Sequence, residues 1–277
     1  MASPDGVYVS FVCAFKVLVV NKANPSMNVL IFIGIIFNYS GGVVASIIRI
    51  NIDFIIGNLL VFYKTNSRKL KVMKKVLELK QQLGKTDMYL IDLLQKGYFD
   101  TSLKILDSGC GMGRNMELFS QLGHEIHGID QNEQVIKRLK LEIKETNSSI
   151  NPMNVGVGEM GDLPFDDGEF DFVICNAVLH FAKDVNHFEI MFTDLVRVLK
   201  SKGVLFLRFV SSHTIENLAA QFNTTLQLPD GSTRFVVDKN WLENTLLPKL
   251  NLTNLETYKT VNIEGKRSMT TLVLRTK

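Results

Sequence analysis

The sequence predicts an α/β protein with a mainly parallel, doubly wound sheet and an antiparallel last strand. Two patterns lead to this prediction. Between residues 103 and 210, short apolar runs alternate with amphipathic segments, which is the order of strands and helices in a parallel sheet covered on both faces. After residue 250, two strand-like segments follow one another across a short turn, and so short a connection joins only antiparallel strands.

The individual elements follow from the spacing of apolar residues and from the residues at their boundaries. Two helices come first: residues 72–83, ending at Gly84, and a segment from Met88 to Gly97 that Asp87 can cap. The expected strands of the alternating region are 103–108, 124–130, 154–157, 170–178 and 203–210. The helices between them are 114–123, 133–145 and 187–200. The terminal strands are 252–263 and 268–276, joined by the turn EGKR.

Residues 1–71 form an apolar and basic extension before the α/β domain, which we assign to residues 72–277. Residues 29–48 hold no charge over a length close to a bilayer span, and 52–63 is a second, shorter apolar run. Basic residues follow at 64–75, and in a membrane protein they would keep the next domain in the cytoplasm. Three interpretations stay open: a membrane anchor through 29–63, apolar elements packed on the main domain, or a non-native extension with Met73 as the working start.

Charge and cysteine content limit the class of protein. The first 80 residues carry ten Lys or Arg against three Asp or Glu, whereas the rest of the chain carries 21 against 25. A slightly acidic domain is a poor fit to nucleic-acid binding, so we expect no nucleic-acid partner. Three widely spaced cysteines without a CxxC pair argue against a disulfide framework and a zinc site, and they indicate a reducing, cytoplasmic compartment.

The segment LDSGCGMGRN, at 106–115, places three glycines directly after the first strand of the alternating region. Glycines there let a ligand approach the backbone, and the next helix offers free amide groups at its N-terminus. The dinucleotide pattern GxGxxG needs a glycine where this chain has Arg114, and no GK[ST] follows for a triphosphate loop. The spacing GxGxG after Asp107 suits a ligand that carries a carboxylate and an ammonium group.

Asp130 ends the second strand of this region, seventeen residues after Gly113. A carboxylate at that position can accept hydrogen bonds from both hydroxyls of a ribose. A turn or helix-capping aspartate is the structural alternative, since strand-to-helix loops favour aspartate. With the glycine loop upstream, we favour ribose binding.

Four segments in order resemble the class I S-adenosylmethionine-dependent methyltransferase family. They are KILDSGCGMGRN, HEIHGID, GEMGDLPFDDGEFDFVICNAVLHF and LVRVLKSKGVLFLR, which together cover about residues 100–210. The terminal strand pair is similar to the reversed hairpin of that family. The resemblance implies a seven-stranded, Rossmann-like sheet with the cofactor lying across the carboxyl ends of its first strands.

The resemblance also implies the roles of individual residues toward S-adenosylmethionine. Asp107 and the loop backbone would hold the methionine part, Asp130 the ribose with Gln131 beside it, and Glu159 the adenine amino group. Glu159 stands where the family often has Asp, and the loop SKG at 201–203 departs from the usual PGG. The full set of implied cofactor-binding residues is Asp107, Gly109, Cys110, Gly111, Gly113, Asp130, Gln131, Glu159, Met160 (through its backbone amide) and Asn176.

The resemblance implies in-line transfer of an activated methyl group to a small-molecule acceptor, a reaction that mainly requires alignment and exclusion of water. An acceptor that must lose a proton needs a base, and His180, just after the fourth strand, is the candidate. We predict no metal site, because His180 and His187 have no further ligands near them in the sequence. Two alternatives stay open: a nicotinamide-dependent oxidoreductase and a catalytically silent S-adenosylmethionine-binding module. The sequence predicts no particular oligomeric state.

Recognition of the acceptor is expected from segments outside the cofactor motifs. The early helix that carries Tyr89 can lie over the cofactor as a lid. Residues 211–240 form the other expected wall, with Phe222, Arg234 and Phe235 as possible contacts. Arg234 is a candidate partner for an acidic group on the acceptor.

Overall fold

The structure, a computed structural model, describes residues 33–39, 42–48, 52–212 and 223–277, with side chains described at 64, 68–212 and 223–277. The chain divides into two compact units, Met1–Glu78 and Leu79–Lys277. Phe222 and the start of the apolar run at 29–32 therefore lie outside the described residues.

The N-terminal unit contains a hairpin and most of a long helix. Strands β1 (Ile33–Tyr39) and β2 (Gly42–Ile48) pair antiparallel, with Ile33 opposite Ile48. Helix α1 (Ile52–Leu83) is 32 residues long, so the helix expected at 72–83 begins twenty residues earlier than its apolar spacing indicates. Within the part of the chain that the structure describes, no helix combines the length and the apolar character needed to cross a bilayer.

The second unit is built on one mainly parallel sheet. Its strands, in spatial order, are β10 (Leu252–Asn254), β12 (Arg267–Thr276), β7 (Leu199–Val210), β6 (Phe170–Asn176), β3 (Lys104–Ser108), β4 (Glu125–Asp130) and β5 (Val155–Val157), with β11 (Lys259–Ile263) also paired to β12. Its main helices are α2 (Met88–Gln95), α3 (Met116–Gln121), α4 (Glu133–Glu145) and α5 (Val185–Arg197). A separate hairpin, β8 (Thr224–Gln227) and β9 (Thr233–Val236), precedes the short helical segments α6 (Lys239–Trp241) and α7 (Leu247–Lys249) with a π-helical turn between them.

The prediction of helices on both faces of the sheet is confirmed by how neighbouring strand residues pack. Leu106 joins the core on the α5 side, whereas the adjacent Ile105 joins the core under α2, α3 and α4. This alternation is the ordinary consequence of the strand pleat. On the α5 side, Phe188 and Phe192 are fully buried, and on the other side Phe119 is. A doubly wound sheet results, and its strand order reverses between β3 and β6.

The expected antiparallel last strand is present, but its partner differs from the prediction of one strand at 252–263. β12 pairs antiparallel with β7 over Val204–Val210, and on its other side with two short strands, β10 and β11. Residues 255–258 separate these two strands, although the amide of Leu255 still donates to the carbonyl of Val273 in β12 (2.8 Å). Glu256 accepts hydrogen bonds from Lys96 (2.5 Å) and from the Tyr98 hydroxyl (3.1 Å), and Leu255 packs on the core. The sheet therefore holds eight strands in seven positions.

Two boundaries in the middle of the chain also differ from the prediction. Helix α5 ends at Arg197, and β7 already begins at Leu199, before the SKG loop.

The carboxyl ends of β3, β4 and β6 meet at one edge of the sheet, because all three strands run parallel. Ligands of open α/β sheets bind at this edge, next to the reversal of strand order.

Candidate active site

The glycine loop after β3 is fixed against the neighbouring strand. The amides of Gly109 and Cys110 both donate to the carbonyl of Ile129, at 2.8 and 2.9 Å. Gly109 has a φ of +77°, and a Cβ there would lie 2.4 Å from the Val178 side chain, so the position requires glycine. Gly111 also has a positive φ, +54°, but a Cβ there would meet no atom within 4 Å. The loop thus presents its backbone at Gly111 to open space.

Asp107, in β3, is a buried carboxylate that lacks a complete set of partners. Its side chain is 1 % exposed, and Oδ2 accepts no hydrogen bond among the described residues. Burial raises the pKa of Asp107 from 3.8 to about 7; the positive charge of Arg114 opposes this shift, and the negative charge of Asp130 adds to it. A buried acceptor without a partner is costly, so this oxygen fits a ligand that brings a donor, above all a charged one.

Asp130, at the end of β4, lies against the same loop. Its Oδ2 accepts from the amide of Gly111 (3.1 Å), and its Oδ1 accepts from the amide of Asn132 (2.9 Å). Each carboxylate oxygen can accept a further hydrogen bond, so Asp130 still has capacity for ligand hydroxyls. Gln131, the next residue, is exposed. The structure therefore brings together Asp107, the glycine loop and Asp130 as the sequence predicts.

The loop after β5 carries the two residues expected near adenine. Glu159 is exposed and forms an isolated bridge with Asp162, while Met160 is buried with its sulfur 3.7 Å from Cys175 Sγ. Val157 pairs with Asp130, so this loop leaves the sheet beside the end of β4. Glu159 is thus at the same edge as the glycine loop.

Two residues of α5 that the sequence analysis did not single out hold this loop in place. Asp194 accepts from the amides of Gly161 (2.9 Å) and Leu163 (2.7 Å). Arg197 donates to the carbonyl of Leu163 (2.9 Å) and to Asp194 (2.9 Å). The spacing of Asp194 and Arg197 on one helix was visible in the sequence. Their role was not, because their partners in the loop lie more than 30 residues away in the chain.

A buried polar cluster closes the site on the side of α2. Oδ2 of Asp87 accepts from Asn176 Nδ2 (3.0 Å), at the end of β6, and from the Arg208 guanidinium (2.7 Å) of β7. Its Oδ1 caps α2 through the amide of Tyr89 (2.9 Å), which confirms the predicted capping role. The amide of Asp87 in turn donates to Asn115 Oδ1 (3.0 Å), after the glycine loop. Sequence reasoning identified Asp87 and Asn176 but not Arg208 or Asn115.

The backbone after β6 is strained where it passes the site. Ala177 has a φ of +66°, an unusual value for a residue with a Cβ, and its amide donates to the carbonyl of Arg208 (2.7 Å). Strain of this kind is concentrated at functional sites. The side-chain oxygen of Asn176 is buried without a partner, so a second acceptor faces the interior at this point.

His180 lies in a short 3₁₀ turn, Leu179–Phe181, beyond this strained residue. The side chain is 5 % exposed, its ring contacts Phe181 with 4.7 Å between centroids, and Nδ1 has no partner. Burial, together with the positive charges of Arg234 and Arg267, lowers the pKa of His180 to about 4. The imidazole is neutral near pH 7, which is the state that can accept a proton.

The residues expected to recognise an acceptor have different surroundings. Tyr89 is half-buried, with the Arg208 guanidinium 5.3 Å and the Lys259 ammonium 5.6 Å from its ring centroid. Phe235 is fully buried and stacks on Phe188 with centroids 5.2 Å apart, so the prediction that it contacts an acceptor is wrong. Arg234 lies with its guanidinium 4.7 Å from the Phe181 ring.

A mainly parallel sheet with an antiparallel penultimate position, a GxGxG loop after β3 and an acid at the end of β4 together define a class I methyltransferase fold. The comparisons with known proteins agree. A family profile described as "Methyltransferase domain" matches residues 106–207. Residues 106–207 are thus similar to a methyltransferase domain, in the same region that carries the glycine loop and Asp130.

Curated relatives match the same region. The chain is 32% identical over 113 residues to the putative methyltransferase YqeM of Bacillus subtilis, covering 40% of this chain and 44% of the relative. It is 33% identical over 107 residues to the ubiquinone biosynthesis O-methyltransferase of Bartonella quintana, covering 38% and 40%. The chain thus spans less than half the length of these relatives.

Solved structures share the fold at low identity. The magnesium protoporphyrin IX methyltransferase of Synechocystis, solved with bound S-adenosylhomocysteine, aligns with a TM-score of 0.54 and 16% identity over 73% of this chain and 84% of its own. The [4+2]-cyclase SpnF aligns with a TM-score of 0.52 and 17% identity over 68% and 80%. A cyclase among the neighbours illustrates that the fold alone does not establish the reaction.

Proposed function

We propose that this protein transfers a methyl group from S-adenosylmethionine to a small-molecule acceptor by in-line displacement. The observation that carries the proposal is the buried, unpartnered Oδ2 of Asp107 next to the open backbone of Gly111. The carboxylate oxygen of Asp107, which receives no hydrogen bond, suits the ammonium group of a ligand. The glycine loop, which has no side chains at this point, leaves room for the carboxylate of the same ligand. The methionine part of S-adenosylmethionine has both.

The other proposed contacts with the cofactor follow from the residues that lie at the carboxyl edge of the sheet. Asp130 is fixed by two backbone amides and has lone pairs left for the ribose hydroxyls. Glu159 is exposed at the neighbouring loop, where it would accept from the adenine amino group, and the amide of Met160 would reach the ring. Asn176 offers a buried oxygen to the amino-acid end of the cofactor. These assignments are supported by the positions of the residues at one edge of the sheet.

When bound, S-adenosylmethionine supplies a methyl group already activated by its sulfonium. The protein then has to hold the acceptor in line and exclude water. The Asp87 cluster fixes α2 at the site, which supports the role of this helix, with Tyr89, as a cover. His180 is neutral and lies beyond the strained turn after Asn176, so it is our candidate to accept a proton from the acceptor.

The names of the curated relatives support an oxygen acceptor, since several are ubiquinone biosynthesis O-methyltransferases. A nicotinamide-dependent oxidoreductase is disfavoured by Arg114, which stands where its loop pattern needs glycine, and by the family match. A catalytically silent cofactor-binding module remains the alternative that only an activity measurement excludes.

We further propose that the domain works in the cytoplasm on a small molecule, not on nucleic acid. The free, buried thiols of Cys110 and Cys175 support a reducing compartment. Residues 29–63 are the segment through which we propose any membrane association. Fractionation of the full chain into membrane and aqueous phases, with and without residues 1–71, tests this part of the proposal.

The central experiment is a calorimetric titration of the full chain with S-adenosylhomocysteine and, separately, with NADH. We expect saturable binding of S-adenosylhomocysteine only, and we expect Asp130→Ala to weaken it. Transfer of labelled methyl from S-adenosylmethionine into a metabolite extract then separates an enzyme from a silent module. Binding of NADH alone would contradict the proposal, and cofactor binding without any labelled product would favour the silent module.

A further inference from the structure

Two arginines and a histidine gather beside the proposed cofactor site. This arginine cluster consists of His180, Arg234, Arg267 and the single carboxylate Asp230. Its members come from the turn after β6, from the β8–β9 hairpin and from the first residue of β12. Because β12 runs antiparallel to β7, its beginning lies at the carboxyl edge of the sheet, the edge that also carries the glycine loop.

The backbone fixes this arrangement. The amide of Val237 donates to the carbonyl of Val210 (3.4 Å), and the amide of Ser212 donates to the carbonyl of Val237 (3.0 Å). These bonds place the end of β9 beside the end of β7. Val236 and Val210 pack in one small core together with the strained Ala177. The cluster therefore adjoins the segment between Asn176 and His180, which carries the candidate base.

Several polar atoms of the cluster are buried without partners in the part of the chain that the structure describes. Nε of Arg234, Nε of Arg267 and Nδ1 of His180 make no hydrogen bond. Arg234 donates from Nη1 only to the carbonyl of its neighbour Thr233 (2.7 Å). Guanidinium groups are donors alone, so unmet Nε–H groups in a buried setting call for an acceptor.

The charges of the cluster do not balance. Among the described residues, Arg234 and Arg267 face one carboxylate, Asp230, whose Oδ2 lies 3.2 Å from Arg267 Nη1. Hydrogen bonds from Ser232 lower the pKa of Asp230, and the charges of the two arginines lower it further, so it is ionised. His180 is neutral near pH 7 because burial and the two arginines lower its pKa to about 4. One positive charge is left, which matches one monoanionic group.

We propose that the arginine cluster binds a carboxylate on the methyl acceptor, so that the acceptor is a hydroxy acid. This inference rests on the proposed function. A planar carboxylate suits the fork of donors on a guanidinium. Phe181 exposes 56% of its surface beside Arg234, so an aromatic acid can lie against this ring. Asp230 then competes with the acceptor for Arg267.

The test uses the full chain saturated with S-adenosylhomocysteine and a pair of matched probes. 3-Hydroxybenzoate and 3-hydroxybenzamide have nearly the same shape, but only the first is an anion at neutral pH. We expect 3-hydroxybenzoate to bind at least about tenfold more tightly, as a charge-assisted contact provides. Arg234→Gln and Arg267→Gln should each remove most of this difference and leave the affinity for S-adenosylhomocysteine unchanged.

Two further variants distinguish recognition from structural support. Asp230→Asn should tighten binding of 3-hydroxybenzoate, because it removes the competing carboxylate; a merely structural ion pair predicts the opposite. Arg275→Gln is the matched control, because Arg275 is an exposed arginine of β12 opposite Val204. It should not change the affinity for either probe.

Equal affinity for the two probes, or no binding of either while S-adenosylhomocysteine still binds, would overturn the inference and leave the proposed function standing. Failure to bind S-adenosylhomocysteine would instead contradict the proposed function, and the inference would fall with it. If an arginine variant does not fold, the probe pair and Asp230→Asn still decide.

Discussion

The Arg208 guanidinium lies 2.7 Å from Oδ2 of Asp87, a residue 121 positions away in the sequence. The same oxygen also accepts from Asn176, so one carboxylate joins α2 to the ends of β6 and β7. The side chain of Asp87 is only 3% exposed, whereas that of Arg208 is 23% exposed. The position of α2 over the site therefore depends on one buried acceptor.

Replacing this acceptor tests that dependence. Asp87→Ala leaves Arg208 and Asn176 without their partner and removes the cap of α2, so we expect a loss of about 3 kcal/mol in the free energy of unfolding. Urea denaturation measures this loss. Asp167→Ala removes an ion pair with Arg197 whose carboxylate is 82% exposed, and it should change stability by less than about 1 kcal/mol. Equal effects of the two variants would contradict the role given to Asp87.

Gly109 and Gly111 should respond differently to alanine. Both have positive φ, which costs an alanine about 1 kcal/mol. In Gly109→Ala the new methyl group would also lie against Val178, so we expect a clear loss of thermal stability. In Gly111→Ala the methyl group enters open space, so stability should fall only slightly while the affinity for S-adenosylhomocysteine falls at least about tenfold. Thermal melts and calorimetry together check both; an unchanged affinity in Gly111→Ala would show that the cofactor does not approach the loop there.

The raised pKa of Asp107 links cofactor binding to pH. In the free protein this pKa is about 7, because the carboxyl group is buried. An ammonium group on the ligand favours the ionised form of Asp107. Below pH 7 the carboxyl group is mostly protonated in the free protein, so binding must first remove this proton, and the affinity falls. We expect the dissociation constant of S-adenosylhomocysteine to rise about tenfold per pH unit below 7 and to be flat above it. Titrations between pH 5.5 and 8.5 measure this. Asp107→Asn should bind weakly at every pH.

The raised pKa of Asp107 also makes the free protein less stable as the pH rises. The folded-state pKa lies above the ordinary value of 3.8, so between these two values the unfolded chain releases a proton that the folded chain keeps. Asp107 thus destabilises the fold as pH rises from about 4 to about 7, by up to about 4 kcal/mol. Asp107→Asn should melt at a higher temperature than the parent at pH 8 in the absence of ligand. A lower melting temperature at that pH would contradict the buried, unpartnered state of this carboxylate.

His180 gives a prediction that separates catalysis from packing. Burial lowers the pKa of His180 to about 4, so a proton-accepting role predicts a turnover number that is constant from neutral pH down to about 5. His180→Gln should reduce turnover at least about 100-fold without a matching change in cofactor affinity. His127→Gln is the control, since His127 is on β4, paired with Leu106, and has its own acid partner in Glu125. Unchanged turnover in His180→Gln would reduce His180 to a packing residue.

The sequence predicted those parts of the structure whose signals are local. The strand before the glycine loop, the loop itself and Asp130 lie within 30 residues, and each has a distinctive residue type at a boundary. Arg208 and Arg267 were missed because their partners, Asp87 and Asp230, become neighbours only when the sheet forms. The contacts of Glu256, between β10 and β11, with Lys96 and Tyr98 were missed for the same reason.

The position of β12 has a consequence for synthesis on the ribosome. This strand is inserted between β7 and the pair β10 and β11, and its residues from Ser268 to Leu274 are almost completely buried. It is made after all of its neighbours, so until it emerges β7 presents an unpaired, apolar edge. Such edges recruit other chains, and nascent domains are exposed to this hazard while synthesis proceeds. We therefore expect chains interrupted before Arg267 to aggregate or to be held by chaperones, even though they already contain the glycine loop and Asp130.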